Sequence, residues 1–141
     1  MVSAMRKIIP LFLVLGLTFA GTMSTPPSDS ITVEGKIVDS KCYGMMQMNH
    51  EDDHMMPGDK TLTKCGTACA TMGIPVGVLE GGEPGGKVYL IVGPAGGYAD
   101  FMAQEIKVEG DEAYPGAIIP TKIWVKKNGE WVEKKVPGTM M

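Results

Sequence analysis

The chemistry this chain offers is concentrated in three cysteines, two histidines and a run of methionines. Cys42, Cys65 and Cys69 are its only cysteines, and His50 and His54 its only histidines. Cys65 and Cys69 stand four residues apart, which puts both sulfurs on one face of a helix, where consecutive turns present two thiolates to one ion. The same geometry strains a direct bond between them. Cys42 lies just past a segment of strand character and can close on the same spot. Three converging thiolates make a soft-metal site by donor type. The other use of these residues is a disulfide from Cys42 to Cys65 or Cys69, worth about 3 kcal/mol in the loop-closure picture and leaving one thiol over. A redox-active thiol is a third use, with no C-x-x-C behind it.

Between the first two cysteines runs "MMQMNHEDDHMM", Met45 to Met56. Met45, Met46, Met48, Met55 and Met56 are thioethers, which do not protonate at ordinary pH and cannot form disulfides. They stay available as soft ligands in an oxidising compartment, where they select Cu(I). His50 and His54 add imidazoles that accept copper or zinc, and a helical turn would align them, with Met46 one turn earlier. Glu51, Asp52 and Asp53 add negative potential that attracts a cation. The stretch is poor in helix formers, so it is expected to be loose without metal and to order on binding it. Copper is the ion this donor set favours. Zinc, held by the histidines and a carboxylate, is the alternative, and it leaves the thioethers unexplained. The opposing reading is an oxidation-prone surface loop or ordinary packing, which would set methionines beside apolar residues rather than acids and histidines.

Other chemistries find little support. "GGEPGGKV" from Gly81 approaches a phosphate-binding loop, but Val88 stands where a hydroxyl is needed and a strand follows where a helix is required. There is no C-x-x-C-H for covalent haem, and no Ser-His-Asp set can be assembled. The chain reads as a binding protein rather than an enzyme.

The elements that must position these donors are mostly strands. "ITVEGKIVDS" alternates, with Ile31, Val33, Gly35 and Ile37 on one face. Residues 42–64 show no strand pattern. "KCGTACATMG" is a two-turn helix ending at Gly73. "PVGVLE" (75–80) and "KVYLIV" (87–92) flank a glycine-rich turn. A short helix fits 97–104 and a strand 105–112. "TKIWVKKNGEWVEKKV" (121–136) is a hairpin around Asn128-Gly129. A two-residue loop there pairs Lys127 with Glu130, Lys126 with Trp131 and Val125 with Val132. Ile123, Val125 and Val132 then share a core face, and Trp124 and Trp131 cover the other side of the sheet. The order predicts a mainly β fold: a small five-strand OB-like Greek-key barrel over 31–137, with 42–73 inserted between its first two strands.

Ahead of that domain, Arg6 and Lys7 precede an apolar run from Ile8 to Ala20. The run is short for a membrane span and reads as a signal peptide over 1–20, cleaved near Ala20 and followed by a flexible Pro/Ser-rich leader over 21–30. The expected location is therefore periplasmic or extracellular, with no stable membrane anchor. The full chain carries 13 basic and 16 acidic residues; without Arg6 and Lys7, 11 stand against 16 and no arginine remains. That balance argues against nucleic-acid binding, which uses basic patches, and favours a cationic ligand.

"GKIVDSKCY", then "CGTACATMGIPVGVLE", then "KVYLIV" resembles a group of small exported bacterial proteins of obscure function. Their pattern runs V-D-x-x-C-Y, then H-x-x-C-x-x-x-C-x-x-x-G-x-P-x-G, then a strand. The resemblance spans residues 33–92, implies an OB-like barrel, and puts Cys42, Cys65 and Cys69 at the cysteine positions. Leu62 stands where the pattern has histidine, which leaves His50 or His54 to supply an imidazole from the insert. The Met/His composition is similar to that of periplasmic copper-handling proteins. Together these readings predict an exported soft-metal protein that binds copper for storage, delivery or tolerance, with the metal ion and an envelope protein as its expected partners. The rival is a disulfide-braced OB-like module that recognises a protein or peptide without metal.

Overall fold

The computed structural model describes residues 29–138. The expected signal peptide and all of the leader before Asp29 lie outside the described residues. Among the described residues no helix is long and apolar enough to cross a membrane.

The chain is mainly β. Strand β1 (Ser30–Asp39) leads into a short helix α1 (Ser40–Met45). A small ribbon follows, β2 (His54–Met56) and β3 (Lys60–Leu62), and then helix α2 (Cys65–Thr71). Next come β4 (Val76–Glu80), β5 (Val88–Ile91) and a 3-10 helix (Ala95–Phe101). Strands β6 (Glu105–Tyr114), β7 (Ala117–Lys127) and β8 (Glu130–Lys134) complete the chain.

Six strands, one more than expected, form one sheet in the order β5-β4-β1-β6-β7-β8. Its neighbours in that order are antiparallel, and β5 also pairs parallel with β7 through Leu90↔Ala117 and Ile91↔Ile118. The hydrogen-bonded path from β5 through β4, β1, β6 and β7 thus returns to β5. The sixth strand, β8, is the outer arm of the Asn128-Gly129 hairpin. Positive φ at both turn residues gives the type I′ geometry, and the pairs Lys127↔Glu130, Lys126↔Trp131 and Val125↔Val132 are those the two-residue loop dictates.

Alternating side chains from five strands fill the core. Val33, Ile37, Val78, Ile106, Val108 and Ile123 are all buried, each contributing about 1.5–3 kcal/mol of apolar transfer. Val132 departs from the expected core face. It is 38% exposed, because β8 is paired only with β7 and extends past the packed interior. On the other side of the hairpin Trp124 and Trp131 are partly buried, and the Lys107 ammonium sits 4.9 and 5.1 Å from their rings. Strand β7 starts at Ala117, earlier than the sequence indicated. Pro120 reads as a boundary, but it sits at a register shift where Pro120 faces Gly110 and Lys122 faces Glu109, and a missing N–H is tolerated at a bulge. Gly35 marks a second constraint, since a Cβ there would fall 1.9 Å from the Leu79 carbonyl oxygen.

Val38 is buried on the face of β1 opposite Ile37. Tyr43 of α1 packs there with Val38 and Leu79 in a separate small cluster. The Tyr43 hydroxyl also accepts from Gly85 N–H at 3.1 Å. These contacts hold α1, and with it Cys42, against the sheet.

Candidate metal centre

Each cysteine is delivered by a short helix. Asp39, the last residue of β1, caps α1: its Oδ1 accepts from the Cys42 N–H at 2.8 Å. Cys65 opens α2, and Cys69 lies one turn later on it. The start of α2 has no side-chain cap of its own. Asp52 supplies one from the insert, accepting from Thr67 N–H at 2.7 Å and from Thr67 Oγ1 at 3.0 Å, while its carbonyl accepts from Gly66 N–H at 3.0 Å. Asp53 accepts from Lys64 N–H at 2.8 Å. Thr67 Oγ1 also reaches the Ala99 carbonyl at 3.4 Å, which ties α2 to the 3-10 helix.

The result is a triad. The Sγ atoms of Cys42, Cys65 and Cys69 all lie within 4.8 Å of one another. Thiolates about 2.3 Å from one tetrahedral ion stand about 3.8 Å apart, so a small inward movement closes the set on a cation. Cys42 and Cys69 are buried, Cys65 is half-buried, and all three are free thiols. Burial, and next the charge of Asp39, raise the thiols of Cys42 and Cys69; that of Cys42 is pushed up to about 12. Protonated thiols packed beside a buried carboxylate are the state of such a cluster before a cation replaces the protons. These three residues therefore lie close enough together to hold a metal ion, whose identity the geometry leaves open.

A second donor set adjoins the first. One ring nitrogen of His54, a carboxylate oxygen of Asp39 and Cys42 Sγ lie within 4.8 Å of one another, all from buried residues. Asp39 was not among the donors singled out from sequence. Its signal was there in part, as an Asp three residues before Cys42 at the end of a strand, where an N-cap is expected.

The methionine stretch departs from the helical alignment expected of it. It is a turn followed by the three-residue strand β2, because Asn49 organises it instead. Asn49 is 3% exposed, and its side chain both accepts from Met55 N–H at 2.8 Å and donates to the Met55 carbonyl at 3.2 Å. This amide pairing stands in for a strand partner. His54 turns inward and is 1% exposed, whereas His50 is half-buried, with Nδ1 3.1 Å from the Met48 carbonyl and Nε2 3.5 Å from Glu51. The acids are engaged as well: Asp52 and Asp53 hold the start of α2, and Glu51 pairs with Lys36. Met45, Met46, Met48 and Met55 point to solvent, and Met56 is half-buried.

A surface cleft of about 530 Å³ is lined by residues such as Pro75, Leu90, Val92 and Tyr114, and none of the three cysteines lines it. No protein-family model matches the chain, and comparison with curated proteins and with solved structures gave no match.

Proposed function

We propose that this chain is an exported soft-metal-binding protein of the cell envelope that holds a cuprous ion at Cys42, Cys65 and Cys69. The observation that carries the reading is the convergence of three sulfurs within 4.8 Å of one another, delivered by two separately anchored helices. Cuprous ion is the soft cation that three thiolates suit by type. The exposed thioethers of Met45, Met46, Met48 and Met55 support a capture role at the surface of the same insert. Zinc is the second reading, favoured by His54 and Asp39 beside the triad, since imidazole and carboxylate complete thiolate zinc sites. The frame is best read as OB-like. What supports this is the return of the strand path to β5 through the parallel β5–β7 pair, with the 3-10 helix between β5 and β6.

The test is anaerobic titration of the reduced protein with Cu(I), and separately Zn(II), against a chromophoric chelator, with native mass spectrometry of protein recovered from the envelope. One tightly held ion per chain is expected, together with loss of reactive thiols that a chelator restores. Cys42→Ser should abolish tight binding. Absence of tight binding by reduced protein to either ion, with a disulfide in the exported form, would overturn the reading in favour of a braced binding module.

A further inference from the structure

Two buried polar atoms beside the cysteines have no hydrogen-bond partner: Asp39 Oδ2 and His54 Nδ1. Leaving a buried donor or acceptor unpaired costs about 1–3 kcal/mol, and two together call for an explanation such as an ion. The other ring nitrogen of His54 identifies the free lone pair. Nε2 stands 2.9 Å from the Glu51 carbonyl oxygen, which only accepts, so in the neutral ring Nε2 carries the proton and Nδ1 is left unprotonated. Nε2 also lies 3.5 Å from Asp39 Oδ2.

We infer that His54 is the fourth donor of the cysteine site and that Asp39 is the carboxylate that positions it, an inference that rests on the metal-binding reading above. Cys42 belongs to both donor sets, so His54 and Asp39 adjoin the triad through a shared sulfur. The Nε2 edge of His54 that faces Asp39 also abuts α2. A Cβ on Gly66, the residue after Cys65, would fall 3.5 Å from His54 Nε2 and 3.1 Å from Asp52 Oδ1. The tight approach is to the Asp52 carboxylate, and the imidazole lies at ordinary contact distance from the start of α2. His54 thus lies close both to Cys42 and to the start of the helix that bears the other two cysteines. His50 has no such place, being turned to the Met48 carbonyl and Glu51.

The ladder of the small ribbon makes the assignment specific. His54 pairs directly with Leu62 across β2 and β3, so side chains at these two positions leave the ribbon on one face. An imidazole at 62 would enter the same space from the neighbouring strand. A nitrogen added to three sulfurs widens the ligand class from a trigonal cuprous ion to a tetrahedral divalent cation such as zinc or cobalt.

Cobalt(II) is the probe, added anaerobically to the reduced, full exported chain. Wild type should show the strong visible bands of a tetrahedral ion together with thiolate-to-cobalt charge transfer. His54→Leu should keep the charge transfer but lose or shift the visible bands, whereas His50→Leu should change neither. Asp39→Asn keeps an N-cap residue for α1; it should retain the fold while affinity falls about 10–100-fold, the loss typical of removing a group that orients a ligand. Moving the imidazole across the ladder, with His54→Leu and Leu62→His together, should restore the wild-type bands. If His54→Leu does not fold, His54→Cys decides, since a fourth thiolate should bind cobalt with stronger charge transfer. Unchanged bands and affinity in His54→Leu, or no added charge transfer in His54→Cys, would overturn the inference while metal binding stands. Failure of wild type to bind cobalt, zinc or cuprous ion would overturn the metal reading and the inference with it.

Discussion

The three thiols differ in ways the fold imposes. Cys42 and Cys69 are buried and their thiols are raised, by burial first and then by the Asp39 carboxylate, while Cys65 is half-buried at the first turn of α2. Alkylating reagents attack thiolates, so a raised and buried thiol reacts slowly. In reduced, metal-free protein, timed iodoacetamide labelling read by peptide mass spectrometry should modify Cys65 first and the other two much later; metal should protect all three. Equal rates would contradict the burial of Cys42 and Cys69. The sequence made the cysteines legible because their spacing alone implies a shared helical face. It could not choose between His50 and His54, since that choice depends on where a three-residue strand begins. Asp39 was legible as a cap, but its closeness to His54 arises only when the insert folds back over the end of β1.

Elements were legible in proportion to how local their causes are. The Asn128-Gly129 turn admits one register, and the observed pairs follow from it. The core face of β8 was less secure, because Val132 is buried only if something covers the strand beyond β7. The methionine stretch misled for a related reason. Four-residue spacing of the histidines suits a helix, yet Asn49 supplies backbone bonds to Met55 that set a strand edge instead. The 3-10 helix offers a test of packing away from the cysteines. Tyr98 is 0% exposed, its hydroxyl lacks a partner, and burial raises it to about 12 from an ordinary 10.0. A raised group stabilises the fold below its unfolded value, so this contribution is complete below pH 10.0 and is lost as pH rises from there through about 12. Ultraviolet titration should show a late-ionising tyrosine that Tyr98→Phe removes. That variant deletes a buried, unpaired hydroxyl and should unfold at slightly higher urea, a gain of about 1 kcal/mol; a clear loss of stability would mean that the hydroxyl has a partner in solution.

At the scale of the whole molecule the site is a junction. The chain leaves the sheet after β1 and returns at β4, and between them α1, β2 and α2 are held by scattered polar contacts and by Tyr43. Cys42 comes from α1, and Cys65 and Cys69 from α2. An ion bound by all three therefore cross-links the two helices of the insert, one anchored to β1 and the other to the 3-10 helix. A cation that binds only the folded chain stabilises it by mass action, about 2.7 kcal/mol when free ion is a hundredfold above Kd. For a domain near 100 residues each kcal/mol moves the melting temperature by about 4–8 °C, so loading should raise Tm by about 10 °C or more. Calorimetry with and without Cu(I) or Zn(II) reads this directly. Cys42→Ser should abolish the shift, because both donor sets use that sulfur. Met48→Leu should leave it intact, because that thioether is 63% exposed and lies outside the buried cluster. Tight binding without a rise in Tm would mean that the ion does not join the two helices and sits instead on the exposed methionines. In that case Met48→Leu, and not Cys42→Ser, would be the variant that weakens it.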